Sequence, residues 1–327
     1  MQATAIALLL VLAPAACQTD DSTQPLELKF GHVGAPGSLF AVSAEEFARR
    51  ANERLGERAK VVVFGSSQLG GDEVLLQKLK LGTVDLALPS TIMSSYVDEF
   101  GLFEMPYLVN DRQQMRRIEK EIFWPQLAPL AEAKGYKIIA VWENGFRHVT
   151  NNVRPITTPA DLDGIKLRTP RGRWRLKMFQ VLGANPTPMP LSEVFVALQT
   201  GVMDGQENPL AQIYSSKLYE VQSYLSLTRH VYTPAYVTVS PDRWAQLPED
   251  LRNILEEAAR QTQEFVYATA ARMDRELLEK IEATGVRVND PDLVDFLEAS
   301  RAVYAEFARS VPGGKKLLER AIELGNS

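Results

Sequence analysis

The chain has 327 residues, 45% of them hydrophobic and 24% charged, with a formal net charge of −5, three histidines and one cysteine. That length suits one large or two medium domains. A single cysteine excludes an internal disulfide framework and a cysteine-rich metal module. His32, His148 and His230 lack the close spacing of a zinc motif, and dispersed, net acidic charge argues against nucleic-acid binding.

The first element is an apolar run from Ala3 to Ala16 that ends at Cys17. A bilayer span needs about 20 residues, so this run reads as a secretory signal, and residues 1–17 are expected to form the signal segment. Cleavage after Ala13-Pro14-Ala15 would free the chain. Ala15-Ala16-Cys17 instead looks like a bacterial lipoprotein junction with a lipid on Cys17, although Pro14 stands where Leu is usual and no Lys or Arg precedes the run. Residues 18–25 are polar and suit a tether. Nothing later in the chain is apolar enough to cross a membrane, so export is expected by either route.

Next, Leu26, Leu28 and Phe30 alternate with Glu27 and Lys29, which predicts a strand. A loop from Gly31 to Gly37 is followed by helical spacing at Ala44, Phe47, Ala48, Ala51 and Leu55, closed by Gly56. Lys60–Phe64 predicts a buried strand, Glu73–Lys80 a helix and Val84–Leu88 a strand. Lys137–Trp142 predicts another strand. Thr158-Pro159-Ala160-Asp161 reads as a helix start, with Thr as cap and Pro at the first position. Ile165–Arg168 predicts a short strand stopped by Pro170, and Arg173–Leu182 a helix. Ser192 is expected to cap a helix that runs through Gln199 and ends at Gly201. Alternation of strand and helix predicts an α/β class with a largely parallel sheet.

From Glu249 to about Ala283 there is neither proline nor glycine. As one helix this segment would be about 50 Å long, enough to lie across two lobes. Two shorter helices joined at a kink are the alternative. A strand around Val286–Val288 and a helix from about Asp292 to Ser310 complete the reading.

Enzyme templates largely fail. No Gly-x-Ser-x-Gly, Walker loop or Gly-x-Gly-x-x-Gly occurs, and the glycines of Gly31-His-Val-Gly34-Ala-Pro-Gly37 have the wrong spacing for a dinucleotide fingerprint. A pair of carboxylates of glycosidase type is neither excluded nor singled out. Two arginines are more informative. Arg147 follows the strand at Lys137–Trp142, and Arg168 ends its own strand. Ligands of open α/β sheets bind beyond the carboxyl ends of strands, and a guanidinium matches a carboxylate with two parallel hydrogen bonds. By position alone, each could equally be a solvated surface residue or a structural ion pair. Asp204-Gly205 predicts a turn, with Asn208 just beyond it as a possible hydrogen-bonding amide.

A set of ordered motifs resolves this. Lys-Leu-Arg168-Thr-Pro, Leu182-Gly-Ala-Asn-Pro-Thr-Pro-Met-Pro190, Ser192-Glu-Val-Phe-Val-Ala-Leu-Gln-Thr-Gly201 and Val-Met-Asp-Gly-Gln-Glu-Asn-Pro209 follow one another closely. Ser66-Ser-Gln-Leu-Gly70, Leu75–Gly82, Gly145-Phe-Arg-His-Val-Thr-Asn151 and Leu247-Pro-Glu-Asp-Leu251 also fit. From about Leu26 to its end the chain resembles the solute-binding proteins of TRAP transporters, the DctP-like family.

The resemblance implies a type II periplasmic-binding-protein-like fold. One lobe would comprise 26–145 and 234–274 and the other 146–233 and 275–327, with a hinge between them and the long helix spanning both. It implies capture of a small organic acid and delivery to a TRAP membrane permease, without catalysis; no cofactor and no metal-ligating residue is expected, and whether a metal ion assists ligand binding stays open. The carboxylate-pairing arginine falls on Arg168, a second cleft arginine on Arg147 and the cleft asparagine on Asn208. Asp72 matches an acidic position of the sialic-acid-binding subgroup. Val33 and Ser90 stand where that subgroup has polar and acidic residues, which argues against sialic acid. Candidate pocket walls are His32, Gln68, Trp142, Trp174 and Leu191. Arg171 and Arg173 are further cations without an assigned place. Two other classes are a ligand-sensing protein that serves a receptor and an exported carbohydrate- or acid-processing enzyme.

Overall fold

The computed structural model describes residues 24–326. The expected signal segment, Cys17 and most of the tether lie outside the described residues. Among those described, no helix is long and apolar enough to cross a membrane.

Among the described residues nine strands form one sheet. They are β1 (Leu26–Gly31), β2 (Ala59–Phe64), β3 (Leu86–Ala87), β4 (Lys137–Asn151), β5 (Lys166–Thr169), β6 (Asn185–Pro188), β7 (Gly205–Pro209), β8 (Tyr224–Val239) and β9 (Arg287–Asn289). The order is β2-β1-β3-β8-β4-β7-β5-β6, with β9 paired to β8. The α-helices of the described residues are α1 (Leu39–Leu55), α2 (Asp72–Lys80), α3 (Arg112–Ile118), α4 (Ala128–Ala133), α5 (Arg173–Val181), α6 (Leu191–Gln199), α7 (Leu210–Ser215), α8 (Pro241–Gln246), α9 (Glu249–Glu282), α10 (Val294–Ser310) and α11 (Gly314–Glu323). A π-helix over Glu119–Leu127 joins α3 to α4.

The α/β class holds, but the expectation of a largely parallel sheet needs correction. The flanks are parallel (β2 with β1, β1 with β3, β6 with β5, β5 with β7). The centre is antiparallel, where the 15-residue β4 and the 16-residue β8 pair along nearly their whole length. These two strands tie the β1–β3 flank to the β5–β7 flank.

The sequence reading stopped the first of them at Trp142, just before Glu143-Asn144-Gly145. The chain continues because Arg112 neutralises the buried Glu143 carboxylate with hydrogen bonds from Nε (2.8 Å) and Nη2 (2.6 Å). Gly145, at φ +120°, takes up a register shift between Glu143 and Gly145. Only glycine adopts that conformation freely. Pro234 faces this break in β8, where a missing N–H is tolerated.

Gly205 was expected in a turn and instead sits in β7. A Cβ there would lie 2.4 Å from the Thr150 carbonyl oxygen, so the close approach of β7 to β4 requires glycine. The helix expected from Ser192 begins one residue earlier, after Pro190, and Ser192 makes no capping hydrogen bond. Thr158 and Asp161 do form a reciprocal capping box, on a single turn of 3₁₀-helix.

The long helix is continuous. At 34 residues α9 is about 51 Å long. Glu257, near its start, pairs with Arg54 of α1 at 2.6 Å, and Lys280, near its end, lies over the Tyr214 ring of α7. It therefore runs along both flanks of the sheet. The core beneath it includes edge-on contacts among Phe30, Phe47 and Trp142.

Candidate functional site

The site is built where the two flanks of the sheet face each other. A cavity of about 270 Å³ is walled by Val33 after β1, Asp72 and Glu73 at the start of α2, and Ile92. From the other flank come Arg168, Pro170 and Arg171 at the end of β5, and Met189–Glu193 leading into α6. β1, through β3, joins one end of the β4–β8 pair and β5, through β7, joins the other, and the two strands run in opposite directions, so their carboxyl ends point toward the same crevice, the usual ligand position in such sheets.

Arg168 is 3% exposed, yet its guanidinium borders this cavity. Nε and Nη2 both donate to the Met189 carbonyl, at 2.9 and 2.5 Å. Met189 N–H in turn donates to the Thr169 carbonyl at 3.0 Å, so the loop that holds the guanidinium is itself fixed to β5. Among the described residues no carboxylate pairs with Arg168. Burial lowers its pKa to about 9, with Glu207 and Asp72 acting in the opposite sense, so it is a cation at neutral pH.

Arg147 and Asn208 are placed differently. Neither borders the cavity. Arg147 lies inside β4, not after a strand, and is 2% exposed. Its Nε donates to Glu207 Oε2 at 2.5 Å and its Nη2 to Glu207 Oε1 at 2.9 Å and Asn208 Oδ1 at 3.0 Å. Asn208 Nδ2 donates to Gln206 Oε1 at 2.6 Å, so both ends of that amide are engaged.

These contacts belong to a buried ionic cluster. Arg175 Nη1 donates to Glu207 Oε2 at 2.7 Å, and Arg175 Nη2 is 2.7 Å from Glu104 Oε2. His230 Nε2 lies 2.9 Å from Glu207 Oε2, and His230 Nδ1 lies 2.9 Å from the Thr228 hydroxyl. Burial holds His230 down at about 4, so it is neutral; Nε2 must then carry the proton, since a carboxylate only accepts. Burial alone would raise the Glu207 carboxyl. Arg147, Arg175 and His230 outweigh it and hold Glu207 well below the ordinary carboxylate range. Burial pushes Glu104 up to about 7 despite Arg175 and Arg147. Three buried guanidiniums, of Arg147, Arg168 and Arg175, thus face two buried carboxyls, one of them only partly ionised near neutrality. The surplus positive charge reaches the cavity through Arg168.

Of the other residues singled out in the sequence, Asp72, Leu191 and Arg171 line the cavity. His32, Gln68, Trp142 and Trp174 are not among the residues that line it. His32 is buried beneath Gly65, where its Nδ1 accepts from Gly34 N–H at 3.2 Å, and burial lowers it to about 4. Gln68 is exposed on the loop after β2. The Trp142 indole N–H donates to the Ala259 carbonyl at 2.9 Å. Trp174 packs edge-on against Phe307 at 5.1 Å and so closely over Gly101 that a Cβ there would lie 2.3 Å from its ring. An aromatic on a helix marks a face to be buried, and here the core claims it. Arg173 stacks on that same tryptophan and donates to the Ser310 hydroxyl.

Glu104, Arg175, Glu207 and His230 were missed. For Arg175 a signal existed: it lies three and four residues before the buried Met178 and Phe179, on the apolar face of α5. A charge on such a face needs a buried counter-ion.

Comparison with known proteins shows the family. The pattern of the bacterial extracellular solute-binding proteins, family 7 (DctP), matches residues 30–310. The 2,3-diketo-L-gulonate-binding periplasmic protein YiaO of Escherichia coli is 30% identical over 99% of this chain and 100% of its own. The sugar acid binding protein DctPAm of Advenella mimigardefordensis, solved with galactonate, superimposes with a TM-score of 0.86 at 32% identity, covering 93% of this chain and 98% of its own. A TRAP periplasmic solute-binding protein of Shewanella oneidensis, solved with succinate, gives a TM-score of 0.88 at 30% identity, covering 92% and 99%. All three are binding proteins rather than enzymes. The chain therefore belongs to the DctP family of bacterial extracellular solute-binding proteins, with the two-lobed fold of the TRAP-transporter members.

Proposed function

We propose that this protein captures a small organic acid in the cavity at Arg168 and hands it to a TRAP-type membrane permease. The observation that carries this reading is a buried guanidinium that borders a cavity and has no carboxylate partner among the described residues. A buried cation is stable only when paired, and here the missing partner is the ligand's carboxylate. Arg147 and Asn208, bonded to Glu207 and Gln206, complete the anion site from behind Arg168, and Arg147 keeps Nη1 without a partner among the described residues. The lobes are 26–145 with 234–274 and 146–233 with 275–327. The register break at Gly145, opposite Pro234 and Thr233, supports that boundary as the hinge. Arg171 and Glu73 already bridge the two sides of the cavity at 2.9 Å, so opening about this hinge would part that pair and let the acid enter or leave.

A thermal-shift panel of dicarboxylates, 2-oxo acids, hydroxy acids and sugar acids, with neutral sugars and amines as controls, tests the ligand class. An acid at about 100 times its Kd is expected to stabilise the protein by about 2.7 kcal/mol. Stabilisation by neutral sugars or amines alone would overturn the reading.

We further propose that the protein is periplasmic and held at the membrane by a lipid on Cys17, with residues 18–25 as the tether. Membrane-fraction recovery that persists for the full-length protein but is lost in C17S is the expected result. Equal recovery of both in the soluble fraction would refute the anchor.

A further inference from the structure

The cavity wall carries five charged side chains: Asp72, Glu73, Arg168, Arg171 and Glu193. Their pairing is uneven. Arg171 Nη1 donates to Glu73 Oε1 at 2.9 Å, so these two satisfy each other across the cavity mouth. Glu193 is exposed to solvent. Arg168 is buried, and its Nη1 has no partner among the described residues. Asp72 is half-buried and forms no hydrogen bond or ion pair with any described side chain, although it shares the cavity with Arg168 and each feels the other's charge. The site therefore offers one free cation and, within the same small volume, one free anion.

That arrangement discriminates among acids. A dicarboxylate needs a cation or a set of donors at both ends. Its second carboxylate would find Arg171 already taken and Asp72 facing it. The first turns of α2 and α6 also border the cavity, but acids occupy both (Asp72 and Glu73 on α2, Glu193 on α6) and offset the positive ends of those helices. A hydroxylated monocarboxylate has no such conflict. Its carboxylate meets Arg168, its hydroxyls donate to the acceptor-only carboxylate of Asp72, and its C–H faces lie on Val33, Ile92 and Leu191.

We propose that Asp72 makes this cavity selective for polyhydroxylated monocarboxylates of the aldonate type over dicarboxylates, accepting hydrogen bonds from ligand hydroxyls and repelling a second ligand carboxylate. This rests on Arg168 as the carboxylate anchor. Specificity here comes from a repulsive element as much as from an attractive one. Burial raises Asp72 to about 6, which still leaves it mostly ionised at neutral pH.

The test is calorimetry at neutral pH with D-galactonate, D-gluconate, succinate and the neutral polyol galactitol, on wild type, D72N and R168A. Wild type is expected to bind at least one aldonate about tenfold or more tighter than succinate. In D72N that preference should shrink by about tenfold or more, while the unliganded melting temperature stays near wild type. A role for Asp72 confined to the first turn of α2 would move the melting temperature and leave the ratio intact. Succinate binding at least as tightly as both aldonates, failure of both aldonates to bind, or an unchanged ratio in D72N would each overturn the proposal. Undiminished binding by R168A would instead remove the carboxylate anchor itself, so the two failures are distinguishable.

Discussion

Arg168→Ala is expected to weaken binding of the cognate acid by about 3–5 kcal/mol, roughly two to three and a half orders of magnitude in Kd. The loss is large because the partner left behind is a carboxylate desolvated inside a cavity. R168K should recover only part of it. The wild-type guanidinium is clasped by the Met189 carbonyl through Nε and Nη2, which fixes its plane and orients Nη1. A lysine ammonium is a point charge on a flexible stem and reproduces neither the clasp nor the fork. Isothermal titration of wild type, R168A and R168K with the tightest acid from the thermal-shift panel measures all three. An R168A affinity within threefold of wild type would rule out Arg168 as the anchor.

How much of this was legible in the sequence depends on what kind of physics wrote each part. Local rules wrote the helices: Gly56 after Leu55, the unbroken segment after Pro248 and the Thr158–Asp161 capping box all lie where short-range propensity put them. Long-range pairing wrote the centre of the sheet, and there local rules failed. Glu143-Asn144-Gly145 has the composition of a turn, and only a distant arginine, Arg112, makes it strand. Most of β8 carried no recognised signal, since Pro234 and the polar Thr228-Arg229-His230 interrupt it.

The site divides in the same way. Arg168 could be found because its motif is contiguous and lies at a strand's end. Arg147 could be found too, but its partner could not. Glu207 is 60 residues away, and only β4–β7 register brings the two together. Trp174 and His32 lie packed away from the cavity lining, because sequence identifies residue types that line pockets but not which of them the core uses. Asp72 was visible as an acid. Its meaning depends on its having no cation partner, and that is a property of three dimensions.

Glu207→Gln is expected to destabilise the fold by about 3–5 kcal/mol, the usual cost of leaving buried charge uncompensated. At about 2 °C or more per kcal/mol for a chain of this size, that is a fall in Tm of the order of 6–10 °C. Glu207 is the shared counter-ion of Arg147 and Arg175 and the acceptor for His230. The glutamine is nearly isosteric, so packing changes little. What changes is that Arg147 loses the carboxylate it is hydrogen-bonded to, while Arg175 keeps Glu104. The pH dependence separates this from a steric effect. Because the Glu207 carboxyl titrates well below its ordinary 4.5 in the folded state, its stabilising contribution is complete above 4.5. It is lost as pH falls through the lower folded value. The stability gap between wild type and E207Q, followed by chemical denaturation from neutral pH downward, should therefore be widest above 4.5 and narrow in acid. A gap that stays constant into acid would mean the charge is not what holds this cluster. Arg168 feels the Glu207 charge as well, so the same substitution removes a neighbour that favours its cationic form. It also removes a negative field that a bound carboxylate must overcome. Affinity for an acid in E207Q is accordingly expected to change far less than stability, because the anchor itself, clasped by Met189, is left in place.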